Sequence, residues 1–280
     1  MKKIFIIPAI LILFNACTER IDIELDETYT RLVVYGTITT DTTTHYIELS
    51  STSSYYYNEA PPAVTGANVG ITDDLGNAIS LVETAPGKYA TSPQFAAIPG
   101  RTYTLRVELA EEINGHSIYM ATSRVSPINP IDSIGLVSQP EWGEKGFYEV
   151  TCYYQDSPTT DFYMFNIFKN GELLTDTISD RFVSSDAFYN GNYTNGIGVG
   201  YLDQSDEREA LNDDDIVTFQ GCSIPEDYYY FIITLQAETG FQTPLFSGPP
   251  ANVKGNINNG AVGFFAAYAV AYSSKVFQKE

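Results

Sequence analysis

Between residues 102 and 109 the chain alternates: Tyr103, Leu105, Val107 and Leu109 are apolar, and Thr104, Arg106 and Glu108 between them are polar. Successive side chains of an extended strand point to opposite faces, so a period of two marks a β-strand with one face buried and one in water. Similar runs rich in Val, Ile, Thr and Tyr recur at 31–38, 45–50, 67–72, 79–83, 88–91 and 117–125. With 102–109 they make seven predicted strands, enough for a β-sandwich. Turn residues punctuate them, notably Asp73, Asp74, Leu75 and Gly76, then Ala85, Pro86 and Gly87.

Pro127 and Pro130 lie close together after the last of these strands. Proline disfavours both a helix interior and a central strand, so 126–130 reads as a linker between a sandwich at 31–125 and a second β-rich domain at 131–280. The second half carries β patterns at 131–137, 148–154, 162–169, 173–178, 215–220 and 264–277. One helix interrupts it. Ser223, Ile224, Pro225 and Glu226 have the order of a capping box with proline in the first turn. Ile224, Tyr228, Phe231, Ile232 and Leu235 then recur at helical spacing, predicting a helix over about 224–238 that Gly240 stops. A stretch rich in Gly, Pro and Asn fills 242–260.

The first residues have a different logic. Lys2 and Lys3 precede an apolar run from Ile4 to Phe14, followed by Asn15, Ala16 and Cys17. That is the charge order of a signal peptide, and the run is about half of the roughly 20 apolar residues a spanning helix needs. The reading is a cleaved signal at 1–16, lipid modification of Cys17, and a tether over 17–30. Several acyl chains on one residue hold a protein stably at a membrane where a single chain does not. Without the signal's two lysines, 13 basic residues face 35 acidic ones, a net charge of −22. Such a surface repels nucleic acid and anionic lipid, while 44% apolar and 14% aromatic residues supply core material and argue against disorder.

Candidate chemistry is sparse. His45 and His116 are the two histidines, and neither has a second ligand at metal spacing; no GxSxG, P-loop or HExxH occurs. The glycines at 196, 198 and 200 have the wrong spacing for a dinucleotide fingerprint. No catalytic, metal or cofactor site is predicted. Asp203, Asp206, Glu207, Glu209 and Asp213 to Asp215 read as a solvated acidic loop in preference to a calcium array or a carboxylate hydrolase site. Beyond Cys17, only Cys152 and Cys222 remain; they can pair in an oxidising compartment or stay as two buried thiols. Tyrosine is abundant, with 21 in the chain. Tyr228 to Tyr230 fall on the helix, where core packing is expected. Tyr55, Tyr56 and Tyr57 sit among Ser, Asn, Glu and Pro, and are the predicted binding residues on a loop tip.

Several segments together carry a family likeness: RLVVYGTIT at 31–39, ANVGITDDLG at 67–76, GKY at 87–89, GRTYTLRV at 100–107, IDSI at 131–134, DAFYNG at 186–191 and FSGPPANVKGNINNGAVGFFAA at 246–267. With Cys17 they resemble the Bacteroidota lipoproteins of domain-of-unknown-function family 4249, and 249–259 is the most specific part. The resemblance implies an outer-membrane lipoprotein with an immunoglobulin-like first domain, commonly encoded beside a TonB-dependent receptor of the starch-utilisation type. It implies no catalytic residue. The expectation is a non-enzymatic, lipid-anchored protein, facing the cell exterior, that assists such a transporter by binding a small molecule, glycan or peptide. The rival is a structural or adhesive surface protein with no transported ligand.

Overall fold

In a computed structural model, which describes residues 30–53, 60–240 and 253–279, the chain is mainly β. Cys17 and Tyr55 to Tyr57 lie outside the described residues. The first eight strands are β1 (Leu32–Thr39), β2 (Tyr46–Ser51), β3 (Asn68–Asp73), β4 (Ala78–Ser80), β5 (Val82–Ala85), β6 (Lys88–Ala90), β7 (Thr102–Ile113) and β8 (His116–Arg124). They pair as β1-β2-β6-β5 in one sheet and β4-β3-β7-β8 in the other. Taken in chain order, that is the immunoglobulin arrangement of strands A-B-E-D facing C′-C-F-G. The corner tyrosine of that fold is present too: Tyr103, near the start of β7, accepts a hydrogen bond at its hydroxyl from Ile98 N–H at 2.8 Å. The run read as one strand at 79–83 is two. Leu81 is buried between them, its N–H bonded to Val69 O, and there the chain leaves one sheet for the other.

The second half supplies β9 (Ser133–Gln139), β10 (Phe147–Tyr153), β11 (Phe162–Lys169), β12 (Glu172–Leu173), β13 (Phe182–Ser185), β14 (Ile197–Asp203), β15 (Ile216–Ile224), the helix α1 (Glu226–Thr239) and β16 (Val262–Val276). β14, β10 and β9 form a separate small sheet. The remaining strands join the first half in a nine-stranded sheet, running β12-β11-β15-β16-β1-β2-β6-β5 with β13 beside β11. The seam is β1 against β16, paired in parallel from Val33 with Val262 to Thr39 with Tyr268. The sheet therefore passes across the 126–130 segment, and β16, assigned by the sequence reading to the second domain, packs into the sandwich core of the first.

β16 also departs from the predicted one-sided alternation, because Phe264 to Ala269 are buried without a break. Its side chains serve two cores in turn. Phe265, Ala267 and Ala269 join Leu32, Val34, Leu105 and Tyr119 inside the sandwich. Phe264, Ala266 and Tyr268 pack on the other face against Tyr228, Phe231 and Ile232 of α1. A strand covered on both faces reads as a continuous apolar run, and burying each phenylalanine contributes about 1.5–3 kcal/mol. A third core lies between the small sheet and β11–β15, built from Val150, Cys152, Phe165, Ile167, Val199, Leu202 and Phe219.

Two local expectations change. No capping box forms: Ser223 and Ile224 are buried at the end of β15, Pro225 takes the N-cap, and no side chain caps the helix. Strand pairing with β11 and β16 takes Ser223 for the sheet. The two cysteines are free and sit in separate cores, Cys152 beneath the small sheet and Cys222 under α1, so they are two buried thiols and not a disulfide. Burial pushes both up, Cys152 to about 12, which keeps them as protonated, unreactive thiols.

Candidate functional site

Residues 246–252 lie outside the described residues; the described segments that carried the family likeness include several joints of the frame. Asp73 Oδ1 accepts from Leu75 N–H and Asn77 N–H, and its other oxygen accepts from Asn77 Nδ2 and the Arg101 guanidinium. Thus ITDDLG and GRTYTL are two halves of one corner. Tyr89 of the GKY segment is buried, with its hydroxyl taken by Ala67 N–H and donating to Val64 O. In DAFYNG, the buried Asp186 accepts Asp161 N–H.

The asparagine-rich segment has the same character. β8 lies at the end of its sheet, and an unpaired strand edge is a template for unwanted pairing. Asn258 closes it, its Oδ1 accepting Met120 N–H at 2.7 Å and its own N–H donating to Met120 O at 3.0 Å. Asn259 Nδ2 donates to Ile118 O at 2.8 Å. Asn256 clamps β16, accepting Phe265 N–H at 3.0 Å and donating to Phe265 O at 2.8 Å, with a further bond to Thr122 O. Gly255 and Gly263 are required there: a Cβ on Gly255 would lie 1.9 Å from Gly263 O, and one on Gly263, at φ +99°, 2.0 Å from Val34 O.

The other sequence candidates are also structural. His45 is buried, bonded through Nδ1 to Thr39 N–H and through Nε2 to Asp41 O, with Phe95 edge-on at 5.6 Å; burial lowers its pKa. Among the described residues no group of three or more His, Cys, Asp or Glu could hold a metal. The acidic residues flagged around 203–215 spend themselves locally, Asp203 on Ser205 and Asp215 on Asn170 and Asn212 N–H. Tyr228 is buried in the helix core as expected, while Tyr230 is exposed.

A cavity of about 250 Å³ opens between the outer edge of β14 and the segment leading into β13. It is lined by Val199, Gly200, Tyr201 and Leu202 of β14, by Thr175, Asp180 and Phe182, and by Ile167, Leu174 and Glu209; Tyr201, paired with Glu149, turns its side chain to the face of β14 opposite that of Gly200 and Leu202. A Cβ on Gly200 would lie 2.4 Å from Ile167 Cδ1, and one on Gly198, on the other face, 2.4 Å from Glu149 Oε1. Tyr201 and Phe182 are both more than two-fifths exposed despite their size. Phe182 stacks on the buried Phe165 at 5.8 Å, and Trp142, also exposed, lies 5.4 Å from Tyr201. Burial raises Glu209 above the usual carboxylate range, with Asp206, Asp203 and Asp180 adding repulsion, although Asp203 N–H bonds to its Oε2. Asp180 accepts from Thr177 and Ser179 hydroxyls.

Arg181 lies between two residues that line the cavity, Asp180 in the turn before β13 and Phe182 at its start, and its own side chain turns away from it. Arg181 Nη1 donates to the Tyr35 hydroxyl at 2.9 Å and to the Tyr228 hydroxyl at 3.2 Å, and those two hydroxyls lie 3.2 Å apart. Among the described residues no carboxylate lies within 4.0 Å of it. Burial raises Tyr228 and Tyr268, stacked beside it, which keeps these two hydroxyls neutral. From α1, Gln236 Nε2 donates to Ile178 O and Arg181 O, both at 2.8 Å.

A model of the family described as domain of unknown function DUF4249 matches residues 18–274. The chain belongs to the DUF4249 family. No curated protein matches it. Among solved structures, the adhesin InvE of Yersinia pseudotuberculosis is similar at 15% identity and a TM-score of 0.21, over 69% of this chain and 55% of the adhesin's, so the chain spans just over half of that protein.

In this DUF4249 chain, then, the quoted family motifs build corners, a sealed edge and the seam between halves, and the cavity lies outside them. Sequence reading singled out two cavity residues, Glu209 as part of an acidic loop and Gly200 in a glycine run of the wrong spacing for a dinucleotide. It passed over Asp180, Phe182 and Tyr201. The available signals were Trp142, the sole tryptophan, and Asp-Arg-Phe at 180–182, a cation between an acid and an aromatic residue. Chemically, the cavity offers one exposed aromatic ring, Phe182, an edge of β14 that pairs with no strand among the described residues, and carboxylates that accept hydrogen bonds.

Proposed function

We propose that this chain is a non-enzymatic lipoprotein, anchored through Cys17 in the outer membrane and facing the cell exterior, that captures a small extracellular ligand for a TonB-dependent transporter of the starch-utilisation type. The observation that carries the capture is the cavity between β13 and β14, where the aromatic ring of Phe182 stays exposed in the same concavity as the desolvated Glu209 carboxylate. Exposing such a ring costs hydrophobic stabilisation, and convergent aromatic and polar groups in a concavity are the general form of a small-molecule site. Binding without turnover is favoured by the employment of the carboxylates: Asp180 serves its own loop through both oxygens and Glu209 holds Asp203 N–H.

The anchor is supported by the order of Lys2, Lys3, the apolar run and Cys17, and the company of a transporter by family membership, an associational warrant. The test is co-purification: the protein should accompany a TonB-dependent receptor isolated from native outer membrane. Cys17→Ser should release it without unfolding it. Receptor preparations that never contain the protein would remove the transporter, and an unlabelled wild-type chain in an acyl-labelling experiment would remove the anchor.

A further inference from the structure

We infer that the outer face of the small sheet β9-β10-β14 is a platform for a neutral oligosaccharide chain, which lies along Trp142, Tyr201 and Tyr153 beside Glu149. This face is separate from the β13–β14 cavity and does not depend on it. Strand register divides the two. Val150, Cys152 and Leu202 turn inward to the core beneath the sheet, so Glu149, Tyr153 and Tyr201, each one residue away from them, turn outward. Val137, the partner of Glu149 on β9, shares their face. Trp142, Tyr201 and Val137 are all more than two-fifths exposed, and the Trp142 and Tyr201 rings meet at 5.4 Å with a tilt of 55°. Glycines keep the face flat: a Cβ on Gly135, Gly198 or Gly196 would run into Thr151 Oγ1, Glu149 Oε1 or the Tyr153 ring respectively. The side chains of β10 therefore lie down over glycine on both neighbouring strands, and Tyr153, near Gly135 on one side and Gly196 on the other, spreads its ring across the sheet.

The chemistry of the face selects a sugar. One side of a pyranose ring presents C–H bonds, which pack on the negative face of an aromatic ring, and its hydroxyls both donate and accept. Glu149 Oε2 accepts Gln139 Nε2 at 3.1 Å, which positions the carboxylate and leaves it lone pairs for sugar hydroxyls, while tyrosine hydroxyls answer in both senses. Glu149 at the centre of an acidic chain repels anionic glycans, so the ligand is neutral. Length selects a chain over a single ring. Tyr153 lies four residues beyond Glu149, the partner of Tyr201, so the aromatic rings are spread along about 13 Å of strand. Area argues against a folded partner or a second copy of this chain. Three strands of seven residues cover roughly 300 Å² at ordinary strand spacing, short of the roughly 800 Å² that each partner gives to a stable protein interface. The platform is also set in advance, because its inner face is packed on Phe165, Ile167 and Phe219, and little ordering is left to oppose weak binding.

The sole tryptophan lies in the platform, so its emission reports directly on occupancy. The chain from residue 17 onward, carrying Cys17→Ser to keep it soluble, is titrated with maltohexaose, cellohexaose, laminarihexaose, xylohexaose and mannohexaose, and with glucose, xylose and mannose. Trp142 emission and calorimetry are followed together. At least one hexaose should saturate both signals and bind at least about tenfold more tightly than its monosaccharide. Tyr201→Ala and, read by calorimetry, Trp142→Ala should each weaken that hexaose about tenfold with circular dichroism and thermal midpoint unchanged, since both side chains are exposed. Phe182→Ala, in the cavity, should bind it as the wild type. The inference is overturned if no hexaose saturates either signal up to about 10 mM, if a monosaccharide binds as tightly as its hexaose, or if both platform variants bind as the wild type. A loss confined to Phe182→Ala would put the sugar in the cavity and remove the platform. Sedimentation that shows a dimer dispersed by Tyr201→Ala, with no hexaose bound, would make the face a contact between copies of this chain instead.

Discussion

Arg181→Met removes a charge while keeping an unbranched side chain of similar reach, so packing over the sheet is largely conserved. What is lost is two hydrogen bonds from a guanidinium, to Tyr35 at 2.9 Å and to Tyr228 at 3.2 Å. Bonds to charged groups contribute about 1.5–3 kcal/mol each, which sets an upper range of about 3–6 kcal/mol. Two features bring it down. Tyr35 and Tyr228 remain 3.2 Å apart and satisfy each other, so neither hydroxyl is orphaned, and the half-buried guanidinium no longer has to be desolvated in the folded state. We expect a loss of about 2 kcal/mol.

Gln236→Leu removes the other tie, two neutral bonds to Ile178 O and Arg181 O, at about 1–2 kcal/mol. Both ties hold one segment, so the double variant should lose less than the sum, with a coupling of at least about 0.5 kcal/mol. Urea unfolding of the four proteins, followed by Trp142 emission and far-ultraviolet dichroism, measures each term. A loss below about 0.5 kcal/mol for Arg181→Met, or strict additivity with Gln236→Leu, would refute the account of Arg181 as the anchor of the cavity wall.

The joints of the frame carry four further predictions. Hydrogen bonds from Asn77, with those from Leu75 and Arg101, pull the Asp73 carboxyl down to about 2 from 3.8. Its contribution is complete above pH 3.8 and disappears as pH falls through about 2, so urea midpoints of the wild type should drop across that window and those of Asp73→Asn should drop less. Asn256→Ala leaves Phe265 N–H and C=O without their partner, and should cost about 2–3 kcal/mol; Asn258→Ala opens the β8 edge at Met120 and should raise the aggregation rate measured by light scattering. A fragment of residues 31–125 lacks Phe265, Ala267 and Ala269, which complete its core. Its dichroism should show no cooperative thermal transition, and a sharp one would sink the argument that β16 completes the sandwich.

The immunoglobulin-like half was legible because its strands have one wet face. Tyr103 to Leu109 and Leu32 to Thr39 keep a period of two, and Asp73 to Gly76 and Ala85 to Gly87 announce the turns. Legibility failed where local pattern and tertiary use diverge. β14 hid behind Gly198 and Gly200, weighed only as a dinucleotide fingerprint, whereas the Glu149 and Ile167 side chains occupy the space a Cβ would need. Ser223 to Glu226 has a capping box's order, but pairing with β11 and β16 takes its first two residues for the sheet. Strand β16 was visible as a strand; that it pairs in parallel with β1, more than two hundred residues away, is invisible to periodicity, which says nothing about partners.

The cavity escaped for a related reason, and its construction explains where function can sit in this family. Its residues come from four separate stretches, with Thr175 to Phe182 and Val199 to Leu202 on its two walls, and no local run contains both an aromatic wall and its opposing carboxylate. Glu209 looked like one more solvated acid because 35 acidic residues mask any single desolvated one. The motifs that identified the family lie instead at corners and seams, where the constraint is local and severe: Gly255 and Gly263 admit no Cβ, and Asn256 must reach both backbone groups of Phe265. Frame and site are joined chiefly through Arg181, whose neighbours on either side line the cavity while its own side chain is held by Tyr35 from RLVVYGTIT and Tyr228 from the helix. Side chains on the cavity walls can therefore change without disturbing the seam, whereas a change at Arg181 should alter stability and ligand affinity together. A comparison of Arg181→Met with Phe182→Ala separates the two: the first should lower both, and the second affinity far more than stability, because Phe182 is exposed and its loss opens no cavity in the core.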